Sequence, residues 1–168
     1  MRFVITAAVS SLAAGSAIAG EASISVDIPR LNVVEYHKPY VAFWLEGADG
    51  GKVTNLAVWY DVKHKDNEGG KWLKDMRQWW RRTGRDLEVP IDGVTGATKP
   101  AGKHPITLAD AATAKLTPGA YKFVVEAARE VGGREVVTIP FQWPPAKADL
   151  QSASGSSELG EIKLELKP

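Results

Sequence analysis

The chain has 168 residues, the size of one ordinary domain, and its 44% hydrophobic and 24% charged residues exclude wholesale disorder. Lys and Arg together number 21, and Asp and Glu together number 20. Arg2 is the only charged residue among the first 19, so the rest of the chain has no net charge. This balance argues against general electrostatic binding of nucleic acid. Cysteine is absent, which excludes disulfides, thiolate metal sites and cysteine nucleophiles.

The first 19 residues are typical of an export signal. Arg2 provides a positive start, residues 3–14 are apolar or small, and residues 17–19 read Ala-Ile-Ala, a small-residue cleavage pattern. The apolar run is too short to cross about 30 Å of hydrocarbon at about 1.5 Å per residue, so removal is expected rather than membrane anchoring. We therefore expect residues 20–168 to form a single periplasmic domain without a membrane span.

Period-two alternation of apolar residues dominates the rest of the chain and predicts β-strands. Turn sequences near residues 47–52 and at Gly132-Gly133 predict two hairpins. We expect a mainly β fold, an antiparallel β-sandwich, with residues 144–160 as a flexible connection. Each predicted strand has one apolar face: Ile24, Val26 and Ile28; Val41, Phe43 and Leu45; Leu56, Val58 and Tyr60; Tyr121, Phe123, Val125 and Ala127; Val137, Ile139, Phe141 and Trp143; and Ile162, Leu164 and Leu166.

Residues 71–82 break the alternation and predict the one short helix. Their apolar residues recur at helical spacing and define one face: Trp72, Met76, Trp79 and Trp80. We expect Trp72 and Met76 in the core, and one of the adjacent rings Trp79 and Trp80 to face outward. Gly84 is expected to end the helix as its C′ residue. The basic residues of this segment form either a charged solvated face or a surface that steers an acidic partner.

The segment Asp92-Gly-Val-Thr-Gly-Ala-Thr98 is the most informative stretch of the sequence. Gly93 and Gly96 give its backbone freedom, and Ala97 leaves the approach to Thr98 unobstructed. An exposed hydroxyl on such a backbone suits covalent modification by another enzyme. The alternative interpretation is a Gly-rich turn with ordinary polar residues.

This segment resembles the attachment signal of proteins that carry covalent FMN. The resemblance implies that a flavin transferase, with FAD as donor and Mg²⁺ as helper, esterifies the Thr98 hydroxyl with the FMN phosphate and releases AMP. Thr95, Gly96 and Ala97 are then the recognition positions, and Asp92 opens the signal.

The wider chain resembles the periplasmic family listed as domain of unknown function 2271. The residues that carry the resemblance are the basic Trp segment KWLKDMRQWWRR, the loop TGATKPAGKH, and the run from Leu116 to Glu126. The later strand pair also resembles the immunoglobulin-like module of the flagellar hook-capping protein, which implies an immunoglobulin-like sandwich. The family is similar to flavin-bearing proteins of extracytoplasmic electron transfer, which implies an electron-transfer partner in the membrane or periplasm.

Further residues are candidates for contact with the flavin or its phosphate. His104 follows Thr98 on the same loop, Lys99 and Lys103 are cations near the acceptor, and an outward Trp80 could stack on the ring. The three histidines of the chain have no compact metal-ligand spacing, so we expect no metal site.

We therefore expect an electron carrier rather than a substrate-transforming enzyme, with the redox chemistry belonging to the flavin and its positioning to the protein. The alternative is a cofactor-free immunoglobulin-like binding or assembly module.

Overall fold

A computed structural model describes residues 20–106 and 110–168 of the chain. The expected export signal, residues 1–19, lies outside the described residues. The helical elements are 3₁₀ segments at Lys65–Asp75 and Gly84–Asp86, α1 (Arg77–Arg82), and the single turn α2 (Asp110–Thr113). The strands are β1 (Glu21–Ile28), β2 (Tyr40–Gly47), β3 (Val53–Tyr60), β4 (Thr95–Ala97), β5 (Gly102–Ile106), β6 (Gly119–Ala128), β7 (Arg134–Trp143), β8 (Asp149–Ser154) and β9 (Glu161–Lys167).

The strands form two sheets that pack face to face, which confirms the predicted sandwich. The first sheet has the order β5-β1-β9-β8 and the second has the order β4-β3-β2-β6-β7. Both predicted hairpins are present, as β2 with β3 and β6 with β7. The strand pairs of the described residues are antiparallel except for β4, which runs parallel to β3. A parallel neighbour needs a long crossover, and the helical residues between these strands provide it.

The space between the sheets holds the main core, to which the apolar faces predicted for β1, β6, β7 and β9 contribute. The prediction for β3 was wrong about which residues share a face of the strand. Phe43 pairs with Ala57 and Trp44 with Asn55, so Leu56 is the extra residue of a β-bulge. Leu56 therefore enters the core between the sheets, whereas Val58 and Tyr60 face the opposite side.

The outer face of the second sheet is covered by the helical residues 65–86, which create a second core. Leu73, Met76 and Trp79 are its buried helical residues. The predicted single helix is instead a 3₁₀ segment followed by α1, and a 3₁₀ segment has three residues per turn. The buried stripe therefore has a spacing of three, and Trp72, which we expected in the core, is exposed.

Polar groups fix this helical layer to the sheet. The carboxylate of Glu126, on β6, is fully buried and accepts hydrogen bonds from the backbone N–H groups of Gln78 and Trp79 at 3.1 and 2.6 Å. The Trp79 indole N–H donates to Asn55 at 2.8 Å. Gly84 does not act as the expected left-handed C′ residue. It is glycine because a Cβ there would lie 2.5 Å from the Trp79 ring.

Residues 144–160, expected to be a flexible connection, contain strand β8, which pairs with β9. Glu135 on β7 anchors the loop after β8 by accepting hydrogen bonds from four successive backbone N–H groups, those of residues 156–159. Burial raises the pKa of the Glu135 carboxyl, but the hydrogen bonds from the backbone of Ser156, Leu159 and Ser157 outweigh it and lower the pKa to about 2.

We expect Glu135→Gln to remove a pH-dependent part of the stability. Because the pKa in the folded protein is about 2, below the ordinary 4.5, ionised Glu135 stabilises the fold above pH 4.5. That contribution is lost as the pH falls from 4.5 toward 2. At neutral pH the variant should be less stable by about 1–2 kcal/mol, a value reduced for solvent screening of a partly exposed group. Urea unfolding of both proteins at pH 7 and pH 3 measures the difference in their free energies of unfolding. A difference of the same size at both pH values would contradict the lowered pKa of Glu135.

Candidate functional site

A groove of about 660 Å³ opens at one end of the second sheet, where β2 begins and where β3, β4 and β6 end. This volume lies within the range of about 300–1,000 Å³ that is common for ligand sites. Three stretches distant in sequence form its walls, and Thr98 lies with them. The lining residues are Tyr36, His37, Lys38, Tyr40, Asp61, His64, Glu68, Trp72, Asp75, Thr98, Ala128, Arg129, Glu130 and Val131.

Residues 92–98 lead to this groove through a turn and the short edge strand β4. Asp92 is exposed in the turn before β4. The Thr95 hydroxyl accepts a hydrogen bond from the backbone N–H of Ile91 at 2.8 Å and so stabilises that turn. Gly96 lies against Trp59, since a Cβ there would be 3.0 Å from the indole Cδ1. Ala97 is exposed, so the side of the strand next to Thr98 is unobstructed.

Thr98 lies directly after β4 and is half-buried. Its backbone N–H donates to the carbonyl oxygen of Tyr60 at 3.2 Å, which fixes the residue beside the end of β3. Among residues 20–106 and 110–168, the Thr98 hydroxyl has no hydrogen-bond partner, and it is not one of the buried unpaired atoms. The hydroxyl is therefore not sealed from solvent, and its backbone is held in place.

The groove combines aromatic rings with ionisable groups. Burial raises the pKa of the Tyr40 phenol; a hydrogen bond from the Asp61 backbone opposes this, and the charges of Asp61 and Glu130 add to the increase. The phenol is therefore protonated at neutral pH. His37 lies 2.9 Å from a carboxylate oxygen of Glu35 and 3.5 Å from one of Glu130, so it links the two walls.

His104 and Trp80, both predicted to contact the flavin, do not line the groove. The His104 Nε2 lies 2.7 Å from the Pro100 carbonyl oxygen, and its ring meets Trp59 edge-on at 6.0 Å between centroids. Trp80 is half-buried, packs against the second core and lies 6.3 Å from the Trp79 ring.

The two cations expected near the phosphate also lie outside the groove lining. The Lys99 ammonium lies over the Trp59 ring, 5.6 Å from its centroid. Lys103 is 3.8 Å from a carboxylate oxygen of Glu161 and is largely exposed.

Sequence reasoning missed the groove walls. The prediction that Trp72 is buried was wrong because an α-helix has 3.6 residues per turn, whereas this 3₁₀ segment has three. Only the spacing of Leu73, Met76 and Trp79 could have revealed this. Nothing in the sequence brings residues 36–40 and 128–131 together, because that contact depends on β2 pairing with β6.

The histidines do not gather into one cluster, because His37 and His64 line the groove whereas His104 lies beside Trp59. Across the described ranges, no group of three His, Asp or Glu side chains is placed to hold a metal ion.

One family model matches most of the chain. Its description is "Predicted periplasmic protein (DUF2271)", and it matches residues 21–161. The chain belongs to this family. The description confirms the predicted periplasmic location. No curated protein and no solved structure gives a significant match. Within the part of the chain that the structure describes, no helix has the length and apolar character needed to cross a bilayer.

Proposed function

We propose that this periplasmic protein carries FMN covalently on Thr98 and acts as an electron carrier. The observation that carries the proposal is that the Thr98 hydroxyl lines a groove with three aromatic side chains, is not sealed from solvent, and has no hydrogen-bond partner in the described part of the chain. The flavin, when bound, supplies reversible electron uptake and release. A flavin transferase and an electron-transfer protein of the membrane or periplasm are the partners that this function requires.

The aromatic residues of the groove are compatible with the ring of such a group. Tyr36, Tyr40 and Trp72 offer aromatic surface for a planar ring, and the groove volume suits a ligand of this size. The backbone N–H of Thr98 donates to the Tyr60 carbonyl, whereas the hydroxyl, which is the ester position, has no hydrogen-bond partner among the described residues. The protein contributes attachment, orientation and the electrostatic surroundings of the ring.

The acidity of the groove favours a second candidate function, a cofactor-free binding module. Apart from histidine, the cations of the lining are Lys38 and Arg129, and Arg129 is ion-paired with Glu158. Four carboxylates line the groove: Asp61, Glu68, Asp75 and Glu130. Such a surface would repel a phosphate group and would suit a cationic ligand with an apolar part.

We expect Thr98→Ala to abolish covalent flavin attachment. The protein is coexpressed with a flavin transferase, and the intact mass of the exported product is measured together with its absorbance after denaturation. Wild type should gain the mass of one FMN less water and stay yellow, and Thr98→Ser should do the same because it keeps a hydroxyl.

Thr138→Ala is the matched control, since Thr138 is exposed on strand β7 and lies outside the groove. This control should be loaded like wild type, and circular dichroism should show that every variant folds. A folded wild type with the bare polypeptide mass would overturn the flavin proposal and favour the binding module.

A further inference from the structure

We propose that Trp72 is the stacking surface for the isoalloxazine ring, so that the groove is the ring's binding site. This inference rests on the proposed function, because it concerns a ring tethered at Thr98. It replaces Trp80, the aromatic residue that the sequence favoured for this contact.

The exposure of apolar groups around the groove is the first argument. Trp72 is 51% exposed although Leu73 beside it is buried. Of the six large hydrophobic residues exposed in the described ranges, three line the groove, namely Tyr36, Trp72 and Val131. Exposed indole surface at the edge of a cavity is typical of a ligand or partner site rather than of a solvated face.

The backbone at Val131, which also lines the groove, is the second argument. Val131 has a φ of 52°, in the left-handed region that a β-branched residue adopts only at an energetic cost. Its turn is held by the buried ion pair of Arg129 with Glu158, 2.8 Å apart, and Glu158 also accepts the Gly133 backbone N–H at 2.8 Å. The strained residue that presents an apolar side chain to the groove is therefore firmly supported.

The third argument is that two consecutive residues at the end of β3 hold both Thr98 and the segment that carries Trp72. The carbonyl of Tyr60 accepts the backbone N–H of Thr98. The carbonyl of the next residue, Asp61, lies so close to Gly69 that a Cβ there would be 2.0 Å away. Two consecutive residues thus fix both the acceptor and the segment that carries Trp72, three positions after Gly69.

The aromatic character of the flavin ring favours contact with Trp72. A tricyclic flavin is planar and aromatic, and its largest favourable contact is with another aromatic face. Trp72 is available for that contact, whereas Trp80 packs against the second core and does not line the groove.

Flavin fluorescence tests the inference, because an indole in contact with the ring quenches its emission. Wild type, Trp72→Leu and Trp80→Leu are loaded by the transferase, and loading is verified by intact mass. Emission from wild type should be several-fold weaker than that of the flavin after proteolytic digestion. Trp72→Leu should restore most of it, and Trp80→Leu should resemble wild type. If Trp80→Leu does not fold, Trp80→Phe takes its place.

The outcomes separate the two proposals. A wild type without FMN would overturn both. A loaded wild type whose emission is unchanged by Trp72→Leu would overturn the stacking proposal and leave the attachment proposal intact. If Trp72→Leu is not loaded, Trp72→Phe serves for the same comparison, and emission between that of wild type and of the digest supports the inference while unchanged emission overturns it.

Discussion

Replacing Glu126 with Gln should destabilise the protein by about 2–4 kcal/mol, because a buried charged acceptor is lost while its donors remain. The carboxylate accepts the backbone N–H groups of Gln78 and Trp79 and a 2.7 Å hydrogen bond from Arg134. In the amide variant an NH₂ group takes the place of one acceptor oxygen and faces a donor. The helical layer therefore loses part of its attachment to β6. Urea unfolding followed by circular dichroism measures the change.

Arg134→Met is the matched control for this prediction. Arg134 is 39% exposed on its side chain, and its removal leaves both backbone hydrogen bonds of Glu126 in place. We expect this variant to lose about 1–2 kcal/mol, less than Glu126→Gln, because the buried carboxylate loses its cation but keeps both backbone donors. Equal losses in the two variants would show that the ion pair, and not the attachment of α1, accounts for the effect of Glu126.

Gly69→Ala should be the second strongly destabilised variant, by about 3 kcal/mol. A Cβ at this position would lie 2.0 Å from the carbonyl oxygen of Asp61, and a backbone atom cannot rotate away as a flexible side chain can. The 3₁₀ segment must therefore move away from the end of β3. Thermal and urea unfolding should both show the loss.

Gly70→Ala offers a close comparison, because the nearest atom to a Cβ there is a Val89 methyl at 3.9 Å, an ordinary contact. This variant should be within about 1 kcal/mol of wild type, and a small gain is expected from a less flexible unfolded chain. A Gly69→Ala protein as stable as Gly70→Ala would refute the close approach to Asp61. In FMN-loaded protein, the emission of Gly69→Ala should also rise if Trp72 is displaced from the ring.

The strands were predictable from sequence because burial on one face gives alternation. The predictions that were wrong failed for local physical reasons. The bulge at Leu56 changes which face its neighbours occupy, and a bulge leaves no mark in an apolar pattern. Strand β8 contains one large apolar residue, Leu150, which is exposed, so an edge strand looked like a connection.

The candidate site was predictable only in part. The motif singled out Thr98, and the structure places that residue at the groove. The groove itself could not be predicted, because its walls come from three stretches that meet only through strand pairing. The prediction that Trp72 lies in the core was wrong, because a 3₁₀ segment and an α-helix bury different residues of the same sequence. His104 follows Thr98 closely along the chain, yet it lies on β5 in the other sheet.

Strand β4 is the last strand of its sheet, and β3 is its one neighbour among the strands that the structure describes. A bulky adduct on the residue that follows it can extend outward without separating any pair of strands. If Thr98 is modified as we propose, the modifying enzyme therefore needs to reach only the edge of a folded domain.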